Sequence, residues 1–329
     1  MKHRNFRIPG IWFAIIALYT LSVIVTPNML SGAQLMNLMK IAPFLGVVAL
    51  GHTFVVLTGG TDLSVSALIT TTIIIACRLM DYGKGSILAA ILVTVLLGVV
   101  IGAINGLIIT MFKILPLVVT LSMNFVIFGL ALILSGGVTI GRVSPSFEVL
   151  TKGYVFNLIP VSFVVLLIFT LLMWIVLNKT KFGRELYATG SNSVAAHVSG
   201  INTKAIIIKA HIICSLSAVA TGLLLASYIQ IPSFDVGDTY SLNSLAAVVV
   251  GGTLMSGGVG GVVNSLGGAI FVTILNSFLN VVRTSIGVQY LFQGLIIIIG
   301  IWASSSGFGK KVFGGIKKLP IFTKVKKNV

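Results

Sequence analysis

Long runs of apolar residues, separated by short polar or glycine-containing stretches, extend along almost the whole chain. A transmembrane helix needs ~20 apolar residues to cross the ~30 Å hydrocarbon core of a bilayer. The pattern therefore predicts ten spans, at about residues 9–27, 41–58, 63–80, 86–108, 116–135, 158–177, 205–228, 242–260, 262–282 and 287–305. The first run is long and no A-x-A-like cleavage site follows it, so it is read as a span and not as a signal peptide. We expect an all-α integral membrane protein with a single transmembrane domain over residues 1–329.

Glycine clusters interrupt the apolar pattern near residue 63 and within 242–282. Two of the interrupted segments, "VVLTGGTDLS" and "VVVGGTLMSGG", resemble each other and lie in the two halves of the chain. Paired, glycine-broken segments are typical of transporter repeats that form a site near the middle of the membrane. The alternative is that glycine, present 36 times, is simply common in this sequence.

The composition agrees with a membrane protein. Hydrophobic residues make up 57% of the 329 residues, charged residues only 9%, and the mean hydropathy is +1.11. Soluble domains carry ~25% charged residues. The net charge of +16 raises the possibility of nucleic-acid binding. However, the basic residues flank the apolar runs, which is typical of contact with the membrane surface, so we expect lipid and no nucleic acid as the partner.

The distribution of Lys and Arg predicts the topology. With ten spans, fifteen of these residues fall on the side of the termini and six on the other side. Because cytoplasmic segments carry the excess of positive charge, both termini are expected in the cytoplasm. The loop at about 178–204 and the basic tail at about 306–329 then lie there as well.

The polar stretch "RELYATGSNSVAAHVSGI" within that loop predicts a short helix from about Ser193 to Ser199. Asn192 suits the N-cap and Gly200 suits the helix end. On a helical wheel Val194 and Val198 form an apolar edge, which we expect to face the membrane helices. The opposite edge is small and polar, which would let a soluble partner approach closely; it consists of Asn192, Ala196, Ser199, Gly200 and Thr203. The alternative is an ordinary loop with one helical turn.

Asp62 is the one acidic residue predicted to lie within the hydrocarbon region. Three roles for Asp62 are compatible with the sequence. It could cap the start of the next helix, bond the hydroxyl groups of a passing solute, or lie at the cytoplasmic rim without either role. Four further polar residues join it as candidates for a translocation path, namely Ser64, Asn105, Thr120 and Asn124. Hydrogen bonding between helices explains Thr120 and Asn124 as well as a translocation path does.

Two further expectations concern single positions. Asn105-Gly106 is a turn signal. The side chain of His211 is expected to reach toward the membrane interface.

Several kinds of chemistry have no support in the sequence. There is no G-x-x-x-x-G-K-[ST] motif to bind ATP, and no Ser/His/Asp set or pair of carboxylates for hydrolysis. The two cysteines and four histidines show no metal-ligand spacing. We therefore expect no enzyme activity, no metal and no cofactor in this chain. If transport is driven by ATP, a separate ATPase would bind the ATP and Mg²⁺.

Several segments together resemble one family. "FGRELYATGSNSVAAHVSGI" resembles the cytoplasmic loop of ABC importer permeases of the ribose and monosaccharide branch, whose coupling helix has an Ala-Ala-x-x-x-Gly core, here Ala195, Ala196 and Gly200. "LTGGTDLSVSALI" is similar to the family's Gly-Gly-Ile-Asp-Leu-Ser-Val-Gly signature, with Thr61 and Ser66 at the differing positions. "AINGLIITMFKILPLVVTLSM" and the glycine-rich 244–280 also resemble it, so that the likeness covers most of residues 40–305 in order.

The resemblance implies the membrane subunit of an ATP-driven importer for a small polar solute, with a monosaccharide such as ribose favoured. Permeases for nucleosides or branched-chain amino acids are the near alternatives, and a secondary transporter is the alternative of another class. The implied partners are a cytoplasmic ATP-binding subunit, an extracellular or periplasmic solute-binding protein, and a second copy or sister permease, in a bacterial cell (inner) membrane. The implied coupling-helix contacts with the ATPase are Gly190, Asn192, Ala195, Ala196, Ser199 and Gly200.

Overall fold

The computed structural model describes residues 10–305, which fold almost entirely into helices. The helices are α1 (Gly10–Val25), α2 (Gly32–Leu57), α3 (Val65–Met80), α4 (Ile87–Phe112), α5 (Pro116–Ser135), α6 (Val149–Lys152), α7 (Val161–Lys179), α8 (Lys181–Ser191), α9 (Ser193–Val198), α10 (Thr203–Ile229), α11 (Asp238–Val250), α12 (Val262–Val281) and α13 (Ile286–Ser305). A two-residue hairpin of β1 (Tyr154–Val155) and β2 (Ile159–Pro160) precedes α7. The predicted basic tail at 306–329, with Lys2, Arg4 and Arg7, lies outside the described residues.

The helices confirm an all-α integral membrane protein. Within residues 10–305, seven helical segments are long and apolar enough to cross a bilayer: α2, α3 with the turn that follows it, α4, α5, α7, α10 and α12. The first and eighth predicted spans correspond to the shorter α1 and α11, of 16 and 13 residues. The total of ten spans and the side of the termini stay predictions.

Helix α2 forms the centre of the bundle. Every residue from Ala42 to Leu57 is buried, and α2 packs against α7, α10, α11 and α12. It begins at Gly32, well before the predicted start at 41, because the Ser31 hydroxyl accepts a bond from the Gln34 N–H and caps the helix there. Helices α4, α5 and α7 lie outside it and expose apolar side chains, as expected where lipid surrounds a bundle.

Three glycines four residues apart join α4 to α10. A Cβ on Gly102 would lie 2.6 Å from the Ile212 Cα, and one on Gly106 would lie 2.5 Å from the Ile208 Cα. A Cβ on Gly98 would lie 2.8 Å from a side-chain atom, the Val219 Cγ2. Small residues at this spacing let two helix backbones touch. Asn105-Gly106 is therefore not the predicted turn: both residues lie inside α4.

The predicted span at 242–260 is wrong in its second half. Helix α11 ends at Val250, and residues 251–261 are irregular. The apolar composition continues, but Gly252 adopts a φ of +89°, which ends the helix.

Helices α2 and α11 end in the same way. After α2, the N–H groups of Gly59 and Gly60 bond to the carbonyls of Val56 and Val55, at 2.9 and 3.1 Å. After α11, Gly252 and Thr253 bond to Val249 and Val248, at 2.8 and 3.2 Å. Both are Schellman motifs. The similarity between "VVLTGGT" and "VVVGGTL" thus corresponds to a shared helix ending.

Candidate functional site

The segment between α2 and α3 is held by the side chain of Asp62, which is completely buried. Its Oδ1 accepts bonds from the Ser64 N–H at 3.0 Å and the Ser64 hydroxyl at 2.5 Å. An Asp that bonds two residues ahead stabilises a tight turn. Regular helix starts only at Val65, so the carboxylate orders the turn that leads into α3.

The other four predicted path residues contact the same segment. The Asn105 amide on α4 donates to the Ser64 hydroxyl at 2.9 Å. On α5, the Thr120 hydroxyl accepts from the Leu63 N–H at 3.1 Å, and the Asn124 amide oxygen accepts from the Ser66 hydroxyl at 2.7 Å. Asn124 also accepts the Ala67 N–H at 3.0 Å. The five residues thus form one hydrogen-bonded network that joins α3 to α4 and α5.

Two histidines border this network. His52 on α2 accepts the Asp62 N–H at Nε2, 3.3 Å away, so its Nδ1 carries the proton and donates to the Ser244 hydroxyl at 2.9 Å. His211 on α10 donates from Nδ1 to the Ile207 carbonyl at 3.0 Å. The expectation that His211 reaches the membrane interface is wrong, because its side chain is completely buried. No sequence motif indicated that His52 joins the network.

Helix α9 lies where the short helix was expected. The Asn192 side chain accepts the Ala195 N–H at 3.0 Å, and the Ser199 hydroxyl donates to the Ala195 carbonyl at 2.9 Å. Gly200, with φ of +83°, ends the helix. Its N–H bonds to the His197 carbonyl, and the Ile201 N–H bonds to the Ala196 carbonyl. This is again a Schellman motif.

The predicted orientation of α9 is wrong for Ala196 and the two valines. The other predicted contact residues of this helix are exposed, as the prediction requires: Asn192, Ala195, Ser199 and Gly200. Ala196 is 5% exposed, whereas Val194 and Val198 are 73% and 83% exposed. The helix ending explains the difference: the chain folds back so that Ile201, which packs on the core, lies beside Ala196. The apolar edge of α9 therefore points away from the bundle.

Helix α8 anchors α9 to the ends of α2 and α11. The Tyr187 hydroxyl donates to the Gly260 carbonyl at 2.8 Å, and the Gly258 N–H donates to the Leu57 carbonyl at 2.9 Å. A Cβ on Gly190 would lie 1.8 Å from that same carbonyl oxygen. Gly190 is thus a packing residue between α8 and α2. The loop after α11 lies between α8 and the end of α2.

A cavity of about 360 Å³ lies at the opposite end of the bundle from α9, between α2, α10, α11 and α12. Phe44, Tyr228 and Tyr240 contribute aromatic rings to it, and the Phe44 and Tyr228 ring centroids are 5.1 Å apart. The polar lining residues are Thr239, Asn243, Thr273, Asn276, Ser277 and Asn280. No charged side chain is among its described lining residues, and none of the five predicted path residues reaches it.

Sequence reasoning did not assign this cavity. Asn276 and Asn280 fall within the predicted span at 262–282, and no motif marks them as site residues. The signal lay in their spacing: Thr273, Asn276, Ser277 and Asn280 recur every three or four residues and so share one face of α12. What the sequence did not show is that Asn243 on α11 faces the same space.

Comparison with known proteins assigns the chain to a family. Residues 34–301 match the family described as the permease component of the branched-chain amino acid transport system. The chain belongs to this permease family. No solved structure matches it.

Relatives of this permease align over nearly the full chain. The ribose import permease protein of Bacillus subtilis is 35% identical over 294 residues, which cover 89% of this chain and 91% of the relative. The galactose/methyl galactoside import permease protein of Escherichia coli is 29% identical over 320 residues, covering 92% and 95%. A probable ABC transporter permease protein of Sinorhizobium fredii is 31% identical over 275 residues, covering 84% and 82%.

The expectation of an ABC importer permease is therefore confirmed, as is that of a multi-pass membrane protein. This permease has a transport role. The functions of its individual site residues stay predictions.

Proposed function

We propose that this permease imports a monosaccharide across the bacterial inner membrane, driven by ATP that a separate subunit hydrolyses. The observation that carries the proposal is the similarity to import permeases for ribose and for galactose or methyl galactoside over about nine-tenths of the chain. The aligned regions also cover 91% and 95% of the two relatives.

The family description also names branched-chain amino acids, which makes them the alternative cargo. An amino acid carries a carboxylate and an ammonium group, and desolvated charges need charged or strongly polar partners. The cavity between α2 and α12 offers hydroxyls, amides and aromatic rings without a charged group among its described lining residues. This lining supports a neutral, hydroxyl-rich solute.

The proposed assembly contains two permease subunits, a cytoplasmic ATPase and an external solute-binding protein. The chain has no P-loop motif, so ATP and Mg²⁺ belong to the ATPase. Exposed valines on α9 supply an apolar docking edge for that subunit. Two residues of the predicted contact set act differently from our expectation: Ala196 is buried against the bundle, and Gly190 packs α8 against α2. The remaining four are exposed beside the valines: Asn192, Ala195, Ser199 and Gly200.

Force would pass from the ATPase into the bundle through α8 and α9. ATP binding closes the ATPase pair and moves α9, and α8 moves with it. The contacts of Tyr187, Gly190 and Gly258 then displace the ends of α2 and α11 together. The solute path alternates between outward and inward access because ATP and the loaded binding protein favour different states.

Uptake measurements test the proposal. Cells with the complete transporter, and cells in which this chain alone is deleted, are compared for uptake of labelled D-ribose, D-galactose and L-leucine. We expect the deletion to abolish uptake of at least one sugar and to leave leucine uptake unchanged. Loss of leucine uptake alone would favour the amino-acid alternative. Sugar uptake that persists in ATP-depleted cells and collapses with the ion gradient would favour a secondary transporter.

A further inference from the structure

Two amide side chains in the cavity wall lack the partners that buried polar groups normally have. The Oδ1 atoms of Asn243 and Asn276 are buried and, within the described part of the chain, accept no hydrogen bond. Buried polar groups are nearly always paired, and each exception calls for an explanation. The two residues come from different helices, α11 and α12, and line the same space.

The size and chemistry of the cavity suit one class of ligand. Its volume of about 360 Å³ falls within the range of small-molecule sites. Amides both donate and accept, as hydroxyl groups do. The rings of Tyr228 and Tyr240 supply flat apolar surface for the C–H face of a sugar ring.

We propose that this cavity is a binding site for a neutral polyhydroxylated solute on the transport route, with Asn243 and Asn276 as its hydrogen-bonding contacts. The inference rests on the proposed import of a monosaccharide. It adds a location: the half of one subunit that lies away from α9, between α2, α10, α11 and α12. The site is not the Asp62 network, whose polar groups hold α3, α4 and α5 together.

The unpaired oxygens lead to an expected result that distinguishes a ligand contact from a residue kept for the fold. A residue kept for the fold loses stability when it is replaced. Replacing an unpaired buried oxygen by an apolar group of similar size is neutral or stabilising. A residue kept for a ligand therefore loses function without losing stability.

The first experiment uses Asn243→Leu and Asn276→Leu in the full transporter, purified with its native partners and reconstituted in vesicles. We expect each change to lower the efficiency of sugar uptake about tenfold, as loss of a well-made hydrogen bond does. The melting temperature of the purified permease should be unchanged or higher. Asn178→Leu is the control, because Asn178 bonds only the Trp174 carbonyl on α7, away from the cavity; its uptake should stay near that of the original protein.

The second experiment detects occupancy directly. A single cysteine is introduced by Thr239→Cys, at the start of α11 in the cavity wall, after Cys77 and Cys214 have been replaced by alanine. D-ribose or D-galactose, whichever the transporter carries, should slow its reaction with a small thiol reagent. L-leucine at the same concentration should not.

The outcomes distinguish failure of the proposed binding site from failure of the proposed sugar import. Normal sugar uptake by both leucine variants, or loss of uptake that merely follows loss of stability, overturns the binding site and leaves sugar import intact. Protection by L-leucine, or by no solute, also overturns the site. A transporter that carries neither sugar overturns the proposed function, and the site with it.

Discussion

At the scale of single residues, Asp62 shows how a buried acid is kept in a membrane protein. Ionisable groups inside a bilayer are costly and usually mark function. Here one carboxylate oxygen is bonded twice by Ser64, while Oδ2 has no partner within residues 10–305. The bonded oxygen orders the turn, and an amide oxygen would do the same. The negative charge itself is therefore not needed for that turn.

Asp62→Asn is expected to keep membrane abundance normal and sugar uptake within about threefold, since Asn and Asp stabilise helix starts equally well. Asp62→Leu removes the acceptor and leaves the Ser64 N–H unpaired, at a cost of about 1–3 kcal/mol. It should lower abundance and uptake together. Western blots of membranes and uptake assays measure both. A loss of uptake in Asp62→Asn at full abundance would show that the charge itself takes part in transport.

Gly190 is the residue through which α8 touches α2. Gly190→Ala would place a methyl group 1.8 Å from the Leu57 carbonyl oxygen, so the two helices must separate. Overpacking of this kind costs about 1–3 kcal/mol. We expect a lower melting temperature and weaker ATP-driven uptake.

Gly129→Ala in α5 is the matched control, because nothing lies within 4 Å of the added Cβ. It should leave both quantities near normal. Equal effects of the two substitutions would mean that the α8–α2 contact is loose enough to admit a side chain.

At the scale of elements, the exposed valine edge of α9 is expected to be the surface that the ATPase contacts. Val198→Glu places a charge on the exposed edge, where it is solvated until a partner covers it. Membrane abundance should stay normal, while co-purification of the ATPase and uptake should be lost. Ala196→Glu instead buries a charge against the bundle and should reduce abundance.

Val138→Glu is the control, because Val138 is 54% exposed on the opposite end of the protein. ATPase co-purification should be unaffected by it. If Val198→Glu retains the ATPase, the exposed edge of α9 is not the docking surface.

The elements also show what the sequence could predict. Helices of about twenty apolar residues, such as α5 and α12, were placed within one or two residues, because span length is fixed by the bilayer. The end of α11 was missed because composition does not reveal a single glycine at positive φ. The prediction of a turn at Gly106 was wrong because the sequence does not distinguish a glycine in a turn from a glycine that lets a neighbouring helix pack closely.

The same limit applies to the site. The predicted residues Asp62, Ser64, Asn105, Thr120 and Asn124 meet in one network, which their sequence motifs indicated without fixing the contacts. The orientation of α9 could not be read from its helical wheel. It depends on where the chain turns after Gly200, which is a tertiary feature. The cavity needed helices distant in sequence to be brought together.

At the scale of the whole molecule, the charge asymmetry predicts sidedness. Single cysteines replace two exposed serines, Ser193 at the start of α9 and Ser146 in the loop before α6. Cys77 and Cys214 are first replaced by alanine. Because cytoplasmic loops carry more Lys and Arg, we expect an impermeant thiol reagent added outside to label position 146 only. Position 193 should react once the cells are opened. Labelling of both positions in intact cells would refute the topology.

The burial of α2 from Ala42 to Leu57 has a consequence for how the protein is made. The helix enters the membrane early, whereas α10, which covers much of it, is synthesised about 150 residues later. During that interval His52 and Thr53 face lipid or the insertion machinery, which is costly for polar side chains. The nascent protein is therefore vulnerable until α10 has been synthesised and packs against α2. A ribosome that stalls before α10 leaves behind a chain that membrane quality control will recognise by its uncovered central helix.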